Sequence, residues 1–215
     1  MRKKVNALTI IYLVLAGISL AGFISFALLV TNEYTFRIDK FNILVLSHRN
    51  AFLTGFFKIF TYLGSFYVLA LVVFIVFLVV YFIYKKRVLA LSFLTCFILT
   101  SILNAVLKTI VKRPRPESLM IIEELGYSFP SGHAMMSLAV FGFFIYFALK
   151  FIENKPLKIS LVVLFSAVVI LIGFSRIYLG VHYLSDILAG WLISFVILLF
   201  STITYNIMKS HKSNY

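Results

Sequence analysis

The sequence of 215 residues is poor in several residue types that soluble proteins rely on. It has seven acidic residues against 20 Lys and Arg, one Cys, four Pro and ten Gly. The single cysteine excludes an intramolecular disulfide, and the few Pro and Gly exclude a collagen-like or low-complexity chain. A hydrophobic content of 62% and a mean hydropathy of +1.06 exclude disorder and a water-soluble enzyme. What remains is a polytopic membrane protein.

Six apolar runs predict transmembrane helices, each of which needs about 20 residues to cross a bilayer. The first run follows basic residues, as in a signal peptide. It is longer than the usual ~7–15-residue apolar region and lacks a convincing cleavage site, so we expect it to be a retained span. The predicted fold is all-α, a single integral-membrane domain over residues 1–215. The expected spans are 5–30, 59–84, 88–107, 134–149, 159–174 and 187–208.

Lys and Arg are distributed unequally between the two sets of connecting segments. One set holds 11 of them in 23 residues and comprises segments 1–4, 85–87, 150–158 and 209–215. The other holds 9 in 66 residues and comprises segments 31–58, 108–133 and 175–186. The positive-inside rule therefore predicts a plasma-membrane protein with both termini in the cytoplasm and the second set outside. Because the basic residues follow topology, we expect no nucleic-acid partner.

Segment 31–58 has a composition of its own. Aromatic and aliphatic residues interleave there with charged ones such as Arg37, Asp39 and Arg49. This pattern predicts an amphipathic helix lying in the membrane interface between the first and second spans. A simple connecting loop is the alternative.

The first of three polar clusters on the predicted outer side runs from Lys108 to Pro116. Lys108 alone is typical of a snorkelling anchor at a helix end, and we expect Arg113 to face solvent or lipid headgroups. Pro114 and Pro116 prevent helix continuation and hold Arg115 in extended geometry. That constraint gives the Arg115 guanidinium a fixed direction, which an anchor does not need.

The second cluster, Pro130-Ser131-Gly132-His133, indicates a helix start. Ser131 can cap the helix, and Gly132 permits a close approach to the free N–H groups of the first turn. Such a terminus suits an anion. Capping leaves His133 unexplained, because a histidine enters a membrane helix at a cost unless it is paired or functional.

The third cluster spans residues 175–186 and contains Arg176, His182 and Asp186. His182 and Asp186 are four residues apart, on one face if the segment is helical. Asp186 can then accept the Nδ1 proton of His182 and leave Nε2 with a free lone pair, as a nucleophile or base requires. A purely structural His–Asp pair is the alternative.

Taken together, the clusters can neutralise and hydrogen-bond a phosphate. To catalyse phosphoryl transfer, a protein must mainly position the reacting groups and stabilise the charge of the transition state. It must also supply a nucleophile and an acid that protonates the leaving oxygen. The candidate phosphate-binding residues are Lys108, Arg115, Ser131, Gly132 and Arg176, and the candidate catalytic residues are His133, His182 and Asp186.

We expect neither a metal site nor a cofactor. Of the four histidines, His48 and His211 lie outside the three clusters. The carboxylates Glu117, Glu123 and Glu124 lack ligand spacing and are expected to shape or solvate the rim of the site.

The motifs K-x6-R-P (108–116), P-S-G-H (130–133) and S-R-x5-H-x3-D (175–186) resemble the signature motifs of the type 2 phosphatidic-acid phosphatases. This family of lipid phosphate phosphatases is related to the vanadium haloperoxidases. The resemblance implies that His182 attacks phosphorus and forms a phosphohistidine while Asp186 orients it. It also implies that His133 protonates the leaving group, that the five candidate binding residues hold the phosphate, and that no metal takes part. Arg113 also precedes a proline but lies at the wrong distance from Lys108.

The resemblance further implies a lipid substrate: phosphatidylglycerophosphate, undecaprenyl pyrophosphate or phosphatidic acid. The P-S-G-H form resembles the phosphatidylglycerophosphate type, since some undecaprenyl pyrophosphate phosphatases differ at the position of Gly132. A six-helix transporter or channel is disfavoured because the charges gather on one side only. A haloperoxidase would bind vanadate in the same cradle, but such enzymes are soluble. The sequence leaves the oligomeric state open.

Overall fold

The computed structural model describes residues 7–212, with the side chains of Phe36 and residues 210–212 left out. All regular structure in this range is helical. A π-helical turn, Val79–Ile83, extends the fifth helix, and a 3₁₀ turn, Glu117–Leu119, lies after the sixth. The α-helices are α1 (Ala7–Thr31), α2 (Phe36–Asp39), α3 (Phe41–Leu46), α4 (Ala51–Leu63), α5 (Phe66–Leu78), α6 (Arg87–Val111), α7 (Gly132–Phe151), α8 (Lys155–Tyr178) and α9 (Leu184–Lys212).

Six of these helices are long and apolar enough to cross a membrane: α1, α5 with its π turn, α6, α7, α8 and α9. The predicted all-α, six-span fold is therefore confirmed. The predicted basic segment 1–4 and residues 213–215 lie outside the described residues. Residues 85–87, 150–158 and 209 lie at one end of the bundle, which we call the basic end. At the opposite end α6 and α8 finish and α7 and α9 begin; we call it the active-site end because the candidate site residues lie there.

The predicted start of the second span at residue 59 is wrong, because the chain breaks between α4 and α5. Ser65 has the extended backbone of a helix N-cap. Gly64 packs so closely on α8 that a Cβ there would lie 2.4 Å from Ile172. The break makes α4 a separate helix, and the second span begins only with α5.

Two other boundaries differ from the prediction by about one turn. α6 continues to Val111 and so includes Lys108. α8 continues to Tyr178 and so includes Arg176. Lys108 and Arg176 were expected just beyond the ends of these spans, and both instead project from the last turns of helices. Helical attachment fixes their Cα positions more firmly than a loop would.

Helices α7 and α9 form the centre of the bundle. α7 packs against α5, α6, α8 and α9, and α9 also packs against α1 and α6. Small residues permit this close packing: a Cβ at Gly142 of α7 would lie 2.6 Å from Leu198 of α9. The two helices that begin at the active-site end are therefore held rigidly against each other.

The segment between α1 and α5 contains the short helices α2 and α3 and the longer α4. Phe57 of α4 is buried against Phe174 and Tyr178 of α8, whereas Phe52 is 80% exposed. This two-faced helix fits the amphipathic pattern, and its position in the membrane interface stays a prediction.

Candidate active site

The candidate catalytic histidine His182 lies in the turn between α8 and α9 and is fully buried. Its Nδ1 lies 3.3 Å from a carboxylate oxygen of Asp186, and its Nε2 lies 3.2 Å from Nη1 of Arg115. A guanidinium can only donate, so Nε2 is the acceptor and carries the lone pair. The proton of the imidazole therefore lies on Nδ1, which donates a hydrogen bond to Asp186. His182 is thus held in the tautomer whose Nε2 carries an unprotonated lone pair, as a nucleophile requires.

Burial also keeps His182 uncharged. Removal from solvent lowers the pKa of His182 to about 4, against the opposing effect of the hydrogen bond and negative charge of Asp186. At neutral pH the imidazole is thus unprotonated at Nε2. An unprotonated imidazole has the lone pair that an attack on phosphorus needs.

Asp186 is completely buried in the first turn of α9 and accepts four hydrogen bonds. One carboxylate oxygen accepts from Nδ1 of His182, from the Ser128 hydroxyl at 2.7 Å and from the Tyr183 N–H at 2.9 Å. The other accepts from Arg113 at 2.6 Å. A buried carboxylate needs such donors to stay ionised. These contacts fix both its charge and its direction.

The expectation that Arg113 faces solvent or headgroups is wrong. Its side chain is 13% exposed and pairs with Asp186 on one side and with Asp39 at 2.7 Å on the other. Its guanidinium stacks 4.0 Å from the ring centroid of Tyr183. Although burial acts to lower it, the pKa of Arg113 is raised by the two carboxylates. Arg113 thus links α2 to Asp186, the candidate catalytic carboxylate.

The sequence motifs predict phosphate release from a lipid. Replacing Arg113 with glutamine is expected to reduce the rate of that reaction roughly 10- to 100-fold, because Asp186 and the histidine beside it would lose their fixed position. The effect should fall mainly on kcat. Lys112→Gln, an exposed neighbour with the same charge change, is the control. The test is to measure steady-state rates of phosphate release from a lipid phosphate for both variants. Equal rates would show that Arg113 does not position Asp186.

Side chains of the segment between α1 and α4 hydrogen-bond the turn between α8 and α9 that carries His182, and the first residues of α9. The amide of Asn42 donates to the carbonyl of His182 at 2.8 Å and accepts from the N–H of Leu184 at 3.2 Å. Asp39 accepts from the N–H and hydroxyl of Ser185, each at 3.0 Å. The sequence interpretation, an interfacial helix or a loop, assigned these residues no part in the site.

Two arginines, Arg115 and Arg176, converge on one carboxylate. Arg176, 1% exposed, donates through Nη2 to Glu124 and through Nη1 to Thr61 of α4. Arg115 lies 3.8 Å from the other oxygen of Glu124. Burial acts to raise the pKa of Glu124, but the arginines hold it below its usual range. Glu124 was expected only to shape or solvate the rim of the site. Its carboxylate instead pairs with both Arg115 and Arg176.

One donor of Arg176 has no partner among residues 7–212. Its Nε is buried and makes no hydrogen bond there. A buried N–H without an acceptor costs about 1–3 kcal/mol, more when charged. This N–H lies where the positive charges of Arg115 and Arg176 meet. The combination indicates that an anionic ligand binds there and accepts the hydrogen bond.

Arg115 and Lys108 also organise the loop that carries Glu124. Arg115 donates through Nε to the carbonyl of Gly126 and through Nη1 to that of Val181, both at 2.9 Å. Lys108 donates to the carbonyl of Tyr127 at 2.9 Å. Both predicted phosphate ligands therefore lie in the site, with part of their donor capacity used by the backbone.

The P-S-G-H segment begins α7 as expected. Ser131 is the N-cap and accepts from the N–H of Ala134 at 3.4 Å. Gly132 is buried, and a Cβ there would lie 2.8 Å from Oδ1 of Asn104, whose amide in turn donates to the carbonyl of Pro130. Asn104 was not foreseen from the sequence. The glycine is required for this close approach of α6 and α7.

His133 faces the same site from the first turn of α7. Its ring is half-buried, and a Cβ at Gly64 would lie 3.2 Å from its Cδ2. Its ionisable neighbours are Arg176, His182, Lys108 and Arg115. The structure therefore brings together all eight candidate site residues at the active-site end. Across the described range, no group of three or more His, Cys, Asp and Glu side chains is placed to hold a metal ion.

Known proteins resemble this chain in sequence and in structure. The model of the PAP2 superfamily matches residues 89–209. Phosphatidylglycerophosphatase B of Bacillus subtilis (strain 168) is 36% identical over 111 residues, which are 51% of this chain and 55% of that protein. An undecaprenyl-diphosphatase of Sulfolobus acidocaldarius is 27% identical over 115 residues, 51% of this chain and 52% of the relative. The chain thus spans about half the length of the curated relatives it matches.

Two solved structures share the fold over more of the chain. The transmembrane PAP2-type phosphatidylglycerolphosphate phosphatase from Bacillus subtilis superposes with a TM-score of 0.80 at 26% identity, covering 87% of this chain and 94% of that one. Aquifex aeolicus LpxE superposes with a TM-score of 0.60 at 29% identity, covering 76% and 93%. Since the family model matches more than half of the sequence and includes all eight candidate residues, the chain belongs to the PAP2 superfamily.

Proposed function

We propose that this protein is a metal-independent membrane phosphatase that hydrolyses the phosphomonoester or pyrophosphate of a lipid through a phosphohistidine intermediate. One observation carries the proposal: Arg115 and Arg176 converge on a single carboxylate, that of Glu124, and the same Arg115 contacts Nε2 of His182. A substrate phosphate that replaced this carboxylate would meet two guanidinium groups and the orphan Nε of Arg176. Cations and a nucleophile at one point are what phosphoryl transfer requires.

In the first step, Nε2 of His182 attacks phosphorus while the bond to the leaving oxygen breaks. Asp186 stabilises the imidazolium that forms, because its carboxylate accepts the Nδ1 proton in a hydrogen bond. His133, which the negative charge of the bound phosphate keeps protonated, donates its proton to the leaving oxygen. Lys108, Arg115, Arg176 and the start of α7 at Ser131 and Gly132 hold the non-bridging oxygens.

In the second step, water attacks the phosphohistidine and the bond between phosphorus and Nε2 breaks. His133 accepts a proton from that water and so returns to its protonated form. The products are the dephosphorylated lipid and inorganic phosphate, and His182 is again neutral. Arginine and lysine side chains supply the charge stabilisation in both steps.

The proposed substrate keeps its tails in the bilayer while its phosphate enters the active-site end. We infer that this end faces the extracytoplasmic side and that both termini are cytoplasmic, because Lys and Arg concentrate at the basic end. The whole chain then acts as one integral-membrane phosphatase domain. The names of the relatives support phosphatidylglycerophosphate and undecaprenyl pyrophosphate as candidate substrates. Phosphatidic acid is a third candidate, which rests on the resemblance of the sequence motifs alone.

Phosphate release from these three lipids in detergent, with a chelator present, tests the proposed function. We expect release by the wild-type protein from at least one of them, at a rate unchanged by the chelator. A large preference for one lipid would identify the substrate, and similar rates would indicate a broad lipid phosphatase. Release that stops in chelator and returns with a divalent metal would overturn the metal-independent mechanism.

A further inference from the structure

The basic end of the bundle, far from the catalytic histidines, contains a groove of about 550 Å³. It lies between the π turn after α5, the start of α6, the end of α7 and the middle of α8. Aromatic and aliphatic side chains form its walls, and Lys86 is the only charged residue among them. The walls include Val80, Leu89, Phe144, Phe147, Phe151 and Phe165. A groove of this composition suits a hydrocarbon chain.

A second cavity of about 250 Å³ adjoins this groove and shares Lys86, Leu89 and Phe151 with it. Its other lining residues include three more cations, Lys85, Arg87 and Lys209, and no carboxylate lines either cavity. The salt bridges found among residues 7–212 involve none of the four cations. Four like charges around one cavity repel each other unless an anion joins them.

The backbone brings these cations to the mouth of the groove. Helix α5 ends in the π-helical turn Val79–Ile83, and such turns are frequent at functional sites. Lys85 follows with a left-handed φ of 53°, which is uncommon for a residue other than glycine. Two aromatic contacts orient the next cations: Lys86 lies 4.4 Å from the ring centroid of Phe151, and Arg87 lies 5.5 Å from that of Tyr81.

We propose that the basic end binds one anionic phospholipid of the surrounding bilayer, with its phosphate among Lys85, Lys86, Arg87 and Lys209 and an acyl chain in the adjoining groove. Basic pockets between transmembrane helices are known to take anionic headgroups. The site is separate from the active site, since α6 alone runs for 25 residues from Arg87 to Val111, about 36 Å of helix. The proposal therefore stands independently of the phosphatase activity.

Orientation in the membrane explains basic residues at this end but not the cavities. Lys155 and Lys158 lie at the same end, at the start of α8, and line neither cavity. They serve as a matched control, because removing both changes the net charge of this end as much as removing Lys86 and Arg87. A general attraction to anionic lipid would depend equally on either pair.

Native mass spectrometry of the detergent-solubilised protein tests the proposal, with dioleoyl phosphatidylglycerol and dioleoyl phosphatidylcholine as probes. We expect one phosphatidylglycerol to bind more tightly than phosphatidylcholine. The double variant Lys86→Ala/Arg87→Ala should weaken phosphatidylglycerol binding roughly ten- to thirty-fold. Lys155→Ala/Lys158→Ala should leave the affinity unchanged. Equal weakening by both double variants, or equal affinity for both lipids, would overturn the proposal.

Two further variants distinguish lipid binding at this site from binding in the active site and from binding by charge alone. Leu161→Trp, on the α8 wall of the groove, keeps every cation but fills the space for the acyl chain, so it should also weaken binding. Arg176→Gln removes a candidate phosphate ligand at the opposite end and should leave the bound phosphatidylglycerol in place. Loss of the lipid in Arg176→Gln, with retention in Lys86→Ala/Arg87→Ala, would place the lipid in the active site and overturn the proposal.

Discussion

Replacing His182 with alanine is expected to lower the rate of phosphate release by at least about a thousand-fold, the usual scale for loss of a catalytic nucleophile. The alanine removes the Nε2 lone pair that faces Arg115. It leaves both arginines and Glu124 in place. Binding of a phosphate analogue such as vanadate should therefore persist while turnover is lost.

His48→Ala provides the matched control for that loss. Within the described part of the chain, the ring of His48 bonds only to its own segment, at Ser47 and the carbonyl of Leu44. Its replacement should leave the rate near that of the wild-type protein. Phosphate release by His182→Ala within ten-fold of the control would show that another group attacks phosphorus.

The second large effect is expected for His133→Ala, and it should depend on the leaving group. A general acid contributes typically about 10²–10⁴-fold to a rate. With a lipid phosphate, whose leaving alcohol is poor, the variant should lose activity on that scale. With an aryl phosphate that leaves without protonation, formation of the phosphoenzyme should be nearly as fast as in the wild-type protein.

Single-turnover rates of leaving-group release for the two substrates measure this difference directly. Ser137→Ala, one turn further along α7 and bonded only to the carbonyl of Ala134, controls for disturbance of the helix. An equal loss of release rate on both substrates would remove His133 from the role of general acid.

The sequence predicts the spans and the three polar clusters because both signals are local. Apolar runs are visible residue by residue, and the motif residues are close neighbours, as His182 and Asp186 are. The helix ends are less visible, because Lys108 and Arg176 are polar residues that continue helices rather than end them. The break at Gly64 depends on contact with Ile172, which no local pattern records.

The residues that the sequence misses act through contacts between distant parts of the chain. Arg113 and Asp39 are 74 residues apart, and Asn42 and Leu184 are 142 apart. Such pairs depend on how α2 and α3 pack against the start of α9. Glu124 illustrates the same limit: its spacing suggested a rim residue, and only the fold brings Arg115 and Arg176 to it.

The most direct measurement is the trapping of a phosphoenzyme on His182. Under alkaline quench, which preserves phosphohistidine, protein turning over an aryl phosphate labelled with ³²P should carry label on the peptide that contains His182. His133→Ala should accumulate more label than the wild-type protein, because the water that hydrolyses the intermediate would lack its base. His182→Ala should carry none. Wild-type turnover with label on another residue, or label persisting in His182→Ala, would contradict the proposed mechanism.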